Sequence, residues 1–216
     1  MGTRAIAGFV AELTAVAVQG ERVALWRVAD LARHVDRAAL LGGIDPPEPP
    51  YWAHLWSGAL VLAGAVPAAP GTVLEIGCGL GLPGLVAARR GGRVTFVDRV
   101  PAALAFVRES ARTAGLPAVQ LVAADITRPA LRTRFDLVLA AELLYDRSVF
   151  PVLAQALRAA LAPGGRALLT DAGRIDTRAF YADLEAAGLA WRAREEVVRE
   201  EGFPVTVRLV EATPAG

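Results

Sequence analysis

From residue 51 onward, two kinds of apolar pattern alternate along the chain. Helical spacing covers Tyr51–Val66, residues 81–91, 101–114, 148–161 and 177–187. Between these lie short, nearly continuous apolar runs: Thr72–Ile76, Val94–Val97, Val119–Ala123, Phe135–Ala140 and Ala167–Thr170. Gly115, Pro163-Gly164-Gly165 and Gly188 stop the helical segments. Strands that are apolar on both faces need cover on both sides, so this alternation predicts a mostly parallel sheet with helices on both faces, an α/β fold. The last two runs, Ala193–Val198 and Val205–Val210, are joined by a short turn through Gly202 and Pro204. With no helix between them, they predict a C-terminal antiparallel β-hairpin.

The first fifty residues are less regular. Ile6, Phe9, Val10 and Leu13 fall at helical spacing and predict a helix over 5–13. Arg22–Val28 reads as a strand and residues 30–41 as a second helix. Ile44-Asp45-Pro46-Pro47-Glu48-Pro49-Pro50 holds four prolines in five positions, which cannot form a helix and favour an extended linker. The expected organisation is an accessory segment, 1–48, packing on a main domain, 49–216.

Hydrophobic residues make up 54% of the 216 and charged residues 21%, the balance of a globular chain able to bury a core. No stretch is long and apolar enough to span a membrane. Arg4, the apolar run after it and Ala15-Val16-Ala17 loosely imitate an export signal, but Glu12 interrupts the run. All 23 basic residues are arginine, and the formal net charge is +1, which argues against a broad nucleic-acid footprint. The single cysteine, Cys78, excludes an intramolecular disulfide and a multi-cysteine zinc site, and a cytoplasmic setting is expected. His34 and His54 have no partners at metal-ligand spacing, so no metal is expected.

The strongest chemical signal is Val73-Leu74-Glu75-Ile76-Gly77-Cys78-Gly79-Leu80-Gly81-Leu82-Pro83-Gly84. Gly77, Gly79 and Gly81 let the backbone turn sharply and approach a ligand at the start of a helix. The spacing from Gly79 to Gly84 also satisfies G-x-G-x-x-G. However, a nicotinamide-binding turn puts its first glycine directly after the strand. Here that residue is Gly77, and the third glycine of its frame falls on Leu82. Glu75, in the last turn of the strand, suits an ammonium group better than a pyrophosphate.

Other candidates lie at the carboxyl ends of later strands. Asp98 is placed to accept hydrogen bonds from ribose hydroxyls, and is equally suited to cap the helix beginning near Pro101. Asp125 is placed to accept an adenine amino group, or simply to turn the chain. Ala141, Glu142 and Tyr145 follow the fourth strand at the edge where a reacting group would sit. Trp52 and Trp56, four apart, are expected on one face of the 51–66 helix, as core or as a wall of the site.

Together these residues resemble the seven-strand (class I) S-adenosyl-L-methionine-dependent methyltransferases, and among them the family 16 protein lysine methyltransferases. The resemblance runs from about Pro49 to Arg174. It rests on Pro50-Tyr51-Trp52-Ala53-His54-Leu55-Trp56, Val73–Gly81, Asp98, Phe135–Leu139, Glu142-Leu143-Leu144-Tyr145-Asp146 and Asp171-Ala172-Gly173-Arg174. It implies a Rossmann-like seven-stranded sheet with a terminal hairpin. It also implies a cofactor site at Trp56, Glu75, Gly77, Gly79, Gly81, Asp98, Asp125 and Ala141, with Glu142 and Tyr145 as catalytic residues. The implied acceptor is a protein lysine, with a small molecule as the alternative and a non-catalytic cofactor-binding module beyond that. No Asn/Asp-Pro-Pro-Tyr/Phe motif for base amino groups is present, so no nucleic-acid partner is expected. The flavoprotein-directed members carry Asp-Pro-Gly-Arg where this chain has Ala172 in place of proline.

Overall fold

A computed structural model describes residues 2–34, 49–116, 119–126, 132–200 and 202–215. The expected helix over 30–41 lies outside the described residues from 35 onward, as does the proline linker from 44 to 48. Residues 31–34 form a short 3-10 turn.

The main sheet has seven strands: β4 (Thr72–Ile76), β5 (Arg93–Asp98), β6 (Gln120–Ala123), β7 (Phe135–Ala141), β8 (Leu161–Asp171), β9 (Leu189–Glu200) and β10 (Phe203–Pro214). Their spatial order is β6-β5-β4-β7-β8-β10-β9. β6, β5, β4, β7 and β8 pair in parallel, while β10 pairs antiparallel with β8 and β9. This is the expected fold, with the hairpin as the exception to parallel order. The chain moves outward on one side of β4 through β5 and β6, then returns to the other side at β7. That reversal opens a crevice beyond the carboxyl ends of β4 and β7, the usual ligand position in such sheets.

Alternation along each strand divides the core between the two faces. Val73, Leu137 and Leu139 point to the side covered by α1 (Ser57–Ala65), α2 (Leu82–Arg89) and α3 (Pro101–Thr113). Leu74, Val138 and Ala140 point to the side covered by α4 (Phe150–Ala160) and α5 (Arg178–Ala186).

The N-terminal segment corrects the sequence reading. Residues 5–13 are not a helix. β1 (Thr3–Ile6), β2 (Phe9–Val18) and β3 (Glu21–Val28) form an antiparallel sheet. Two-residue turns join them at Ala7-Gly8, with φ of 49° and 86°, and at Gln19-Gly20, with φ of 46° and 85°. Two successive left-handed residues make the tight hairpin turn whose twist suits paired strands. The helical spacing was accidental: Ile6 is buried, whereas Val10 is 60% exposed. This sheet docks on α3, where the Trp26 backbone N–H donates to Ser110 Oγ at 3.0 Å and its indole N–H to Thr113 Oγ1 at 2.8 Å.

The 51–66 helix is also broken. Tyr51–Ala53 form a single 3-10 turn, His54 and Trp56 are extended, and α1 begins only at Ser57. Trp52 and Trp56 therefore do not share a helix face. Trp52 packs on Phe9 and Phe106 at ring separations of 5.4 and 5.3 Å. Trp56 turns toward Arg174 instead, with its ring 4.5 Å from the guanidinium carbon.

Candidate active site

A cavity of about 590 Å³ opens at the carboxyl ends of the parallel strands. This is within the usual range for a small-molecule or cofactor site. All ten positions singled out from the sequence line it: Trp56, Glu75, Gly77, Gly79, Gly81, Asp98, Asp125, Ala141, Glu142 and Tyr145. They come from the ends of four neighbouring parallel strands and from the turn before α1, so the parallel order of the sheet is what assembles them.

The floor is the loop from β4 into α2. Gly77, Gly79 and Gly81 all have left-handed backbones, with φ of 58°, 50° and 72°. At Gly79 the neighbours add a second constraint, because a Cβ there would lie 2.9 Å from the Trp52 carbonyl oxygen. The Gly79 N–H donates to Asp98 Oδ2 at 2.8 Å, and the Val100 N–H to Asp98 Oδ1 at 2.9 Å. Asp98 thus ties the loop to the end of β5. It does not cap α3, whose N-cap is Val100 without a side-chain bond. Burial pushes the Asp98 carboxyl up, against those two N–H bonds.

Glu75 is fully buried and accepts the Gly84 N–H at 2.8 Å in the first turn of α2. Burial pushes its pKa from 4.5 to about 8, opposed by the Gly84 bond and assisted by the nearby Asp98 charge. Asp125 stands at the exposed rim after β6, and half-buried Ala141 ends β7.

The opposite wall is acidic and aromatic. Glu142 has a left-handed backbone, φ 54°, unusual away from glycine. Its Oε1 accepts the Gly58 N–H at 3.1 Å, and its Oε2 accepts Arg174 Nε at 3.2 Å. Burial raises its pKa, with Arg174 and the Gly58 bond pulling the other way. Arg174 Nη2 also donates to Glu200, at 3.2 and 3.0 Å to its two oxygens. Glu200 accepts Ser57 Oγ at 2.6 Å and lies 3.9 Å from His54 Nε2. Tyr145 is 46% exposed, and its ring is 5.9 Å from that of Tyr51.

Two members of this wall were given no role by the sequence. Arg174 belongs to the segment that carried the family resemblance, and Glu200 had no local signal at all. Among the described residues, no group of His, Cys, Asp and Glu is arranged to hold a metal ion.

The family model for a methyltransferase domain matches residues 73–165, the stretch that builds the glycine loop, Asp98 and Glu142. The matched stretch is under half of the chain, and the fold it belongs to is one shared with S-adenosylmethionine-dependent methyltransferases. Three curated relatives add detail. EEF1A lysine methyltransferase 3 of Mus musculus is 32% identical over 108 residues, 48% of this chain and 46% of that protein. Protein N-lysine methyltransferase METTL21A of Danio rerio is 35% identical over 116 residues, 49% of this chain and 53% of that one. Ribosomal RNA small subunit methyltransferase G of Leifsonia xyli subsp. xyli (strain CTCB07) is 28% identical over 200 residues, 90% and 91% of the two chains. The chain thus spans about half the length of the two lysine methyltransferases. Among solved structures, the Thermus thermophilus 16S rRNA N2 G1207 methyltransferase bound to AdoMet and guanosine superposes with a TM-score of 0.65. That match has 19% identity and covers 94% of this chain and 50% of the other. It shows the fold.

Proposed function

We propose that the protein methylates a lysine side chain of another protein, using S-adenosylmethionine as donor, in a cytoplasmic setting. The observation that carries this reading is the wall around Arg174. Two carboxylates, Glu142 and Glu200, and the face of Trp56 converge on one cation beside the cofactor-sized cavity. Such a set of groups recognises a positively charged side chain. The two lysine methyltransferase relatives and the family 16 resemblance support the same acceptor.

The cofactor supplies an already activated methyl group on its sulfonium. The glycine-loop cradle and the buried Glu75 and Asp98 fit it. In this reading Glu75 meets the methionine ammonium, Asp98 the ribose hydroxyls and Asp125 the adenine amino group. Gly77, Gly79, Gly81 and Ala141 allow close approach, and Trp56 closes the cofactor end of the acceptor wall. The chain's own task is then positioning, which can account for roughly 7–11 kcal/mol of a barrier. Tyr51, Tyr145 and Trp56 exclude water around the incoming amine, lowering its pKa from about 10.4 toward the reactive neutral form. Glu142 orients the amine. With both of its oxygens already accepting hydrogen bonds, it acts by charge and placement rather than as a free base.

The test exploits a property of the sequence. The chain contains no lysine, so methyl-lysine recovered after incubation cannot come from the enzyme itself. Purified protein, radiolabelled S-adenosylmethionine and a cell extract are combined, then divided between ribonuclease and protease treatment. Protease-sensitive label that hydrolyses to methyl-lysine supports the proposal. Ribonuclease-sensitive label would favour a ribosomal RNA acceptor instead, a second reading that rests on the relative matched over 90% of the chain. Label confined to small molecules would favour a metabolite acceptor.

A further inference from the structure

Arg174 lines the cavity beside the two carboxylates that an acceptor ammonium is expected to approach, and it is firmly built in. Its loop is anchored by Asp171, whose Oδ1 accepts the Gly173 N–H at 2.8 Å and whose Oδ2 accepts Thr177 Oγ1 at 2.7 Å. Its guanidinium bridges Glu142, just past β7, to Glu200, at the end of β9, and lies over Trp56. An arginine held by two carboxylates and an indole face is a poor candidate to be pushed out by every substrate.

The charge balance gives it a different task. Two carboxylates facing a lysine would bind its ammonium well and hold it protonated, because a nearby negative charge raises an amine's pKa. Only the neutral amine can attack a methyl group. A strongly acidic wall would therefore bind the substrate tightly and react slowly. One fixed guanidinium between the carboxylates lowers the local charge from −2 to −1, and its own positive charge disfavours the protonated amine.

We propose that Arg174 is the electrostatic tuning residue of the acceptor site, setting the wall acidic enough to attract a lysine but not to keep it protonated. This rests on the amine-acceptor reading above. Other titratable groups facing this wall are His54 beside Glu200 and the tyrosines 51 and 145. Asp176, farther along the Arg174 loop, pairs with Arg178 at 2.7 Å and lies 3.9 Å from Arg147, in the turn before α4. Asp171 is engaged by Arg208 as well as Thr177. On the cofactor side, Glu75 and Asp98 are tied to backbone N–H groups.

The experiment compares wild type, Arg174→Gln and Arg174→Lys, with poly-L-lysine as acceptor. Methyl incorporation is followed from pH 6 to 10, and S-adenosylhomocysteine binding is measured by calorimetry as a control. Removing the charge in Arg174→Gln should lower the apparent KM for poly-L-lysine. It should also move the half-maximal rate about one pH unit or more toward alkali, with S-adenosylhomocysteine affinity unchanged. Arg174→Lys keeps the charge and should keep the wild-type pH profile. An unshifted profile in Arg174→Gln, or equal loss of cofactor affinity in both variants, would overturn the inference and leave the amine reading standing. No incorporation into poly-L-lysine by wild type at any pH would overturn the amine reading and this inference with it.

Discussion

Glu142 Oε1 accepts a hydrogen bond from the Gly58 N–H at 3.1 Å, and that contact exists only because residue 58 has no side chain. A Cβ on Gly58 would lie 2.4 Å from the same oxygen. Gly58 is in the first turn of α1, so the carboxylate also sits in the favourable field of that helix's N-terminus. Gly58→Ala should displace Glu142, and Glu142→Gln should keep its shape but remove its charge. Each is expected to reduce methyl transfer about 100-fold, the scale of a small misplacement at a reacting centre. Neither should alter S-adenosylhomocysteine binding by calorimetry. Turnover like that of wild type in Glu142→Gln would remove Glu142 from the acceptor site.

Asp98, at the end of β5, accepts the Gly79 N–H of the glycine loop and the Val100 N–H just beyond its own strand, and still lines the cavity. If its carboxylate also holds the ribose, Asp98→Ala loses charge-assisted bonds worth about 1.5–3 kcal/mol. Affinity for S-adenosylhomocysteine should then fall roughly 10- to 100-fold. Unchanged affinity by titration would take Asp98 out of the ribose site.

What the sequence disclosed and what it hid have physical causes. The parallel core was legible because both-face burial writes continuous apolar runs such as Leu137-Val138-Leu139-Ala140, punctuated by glycine and proline. That the ten candidate residues share one cavity was legible because a parallel sheet collects strand ends at one edge. The N-terminal sheet was hidden because Ile6, Phe9, Val10 and Leu13 satisfy the helical period by chance. The contrary signal was two X-Gly pairs, Ala7-Gly8 and Gln19-Gly20, bounding a ten-residue strand. Glu200 was hidden because its partners, Ser57 and Arg174, are 143 and 26 residues away. No local pattern encodes such a meeting.

The N-terminal sheet should contribute measurably to stability. Trp26 is 6% exposed, donates to Ser110 and Thr113 of α3, and carries Arg4 over its ring at 4.5 Å. Trp26→Ala should cost about 3–5 kcal/mol, or roughly 10 °C in Tm for a chain of this size. Thr113→Val leaves the indole N–H without that acceptor and should cost about 1–3 kcal/mol. Thermal unfolding checks both, and a Trp26→Ala Tm within a degree or two of wild type would mean that the sheet folds independently of α3.

Glu75 gives the site a pH dependence with a definite sign. Its pKa is near 8 in the folded chain because burial disfavours the carboxylate, against an ordinary value of 4.5. A group raised in this way favours the folded state fully below pH 4.5, and the contribution is lost as pH rises through about 8. Wild-type Tm should therefore decline from pH 5 to 9, and Glu75→Gln should flatten that part of the decline. Cofactor binding carries the same sign in reverse. An ammonium brought beside Glu75 favours its ionised form, so binding S-adenosylhomocysteine at pH 7 should release a proton from it. The release appears in calorimetry as a binding enthalpy that changes with the ionisation enthalpy of the buffer, phosphate against Tris. Glu75→Gln should abolish that part of the difference. A buffer-independent enthalpy for wild type would mean that the ammonium does not meet Glu75, and that its role is confined to holding Gly84 and the first turn of α2.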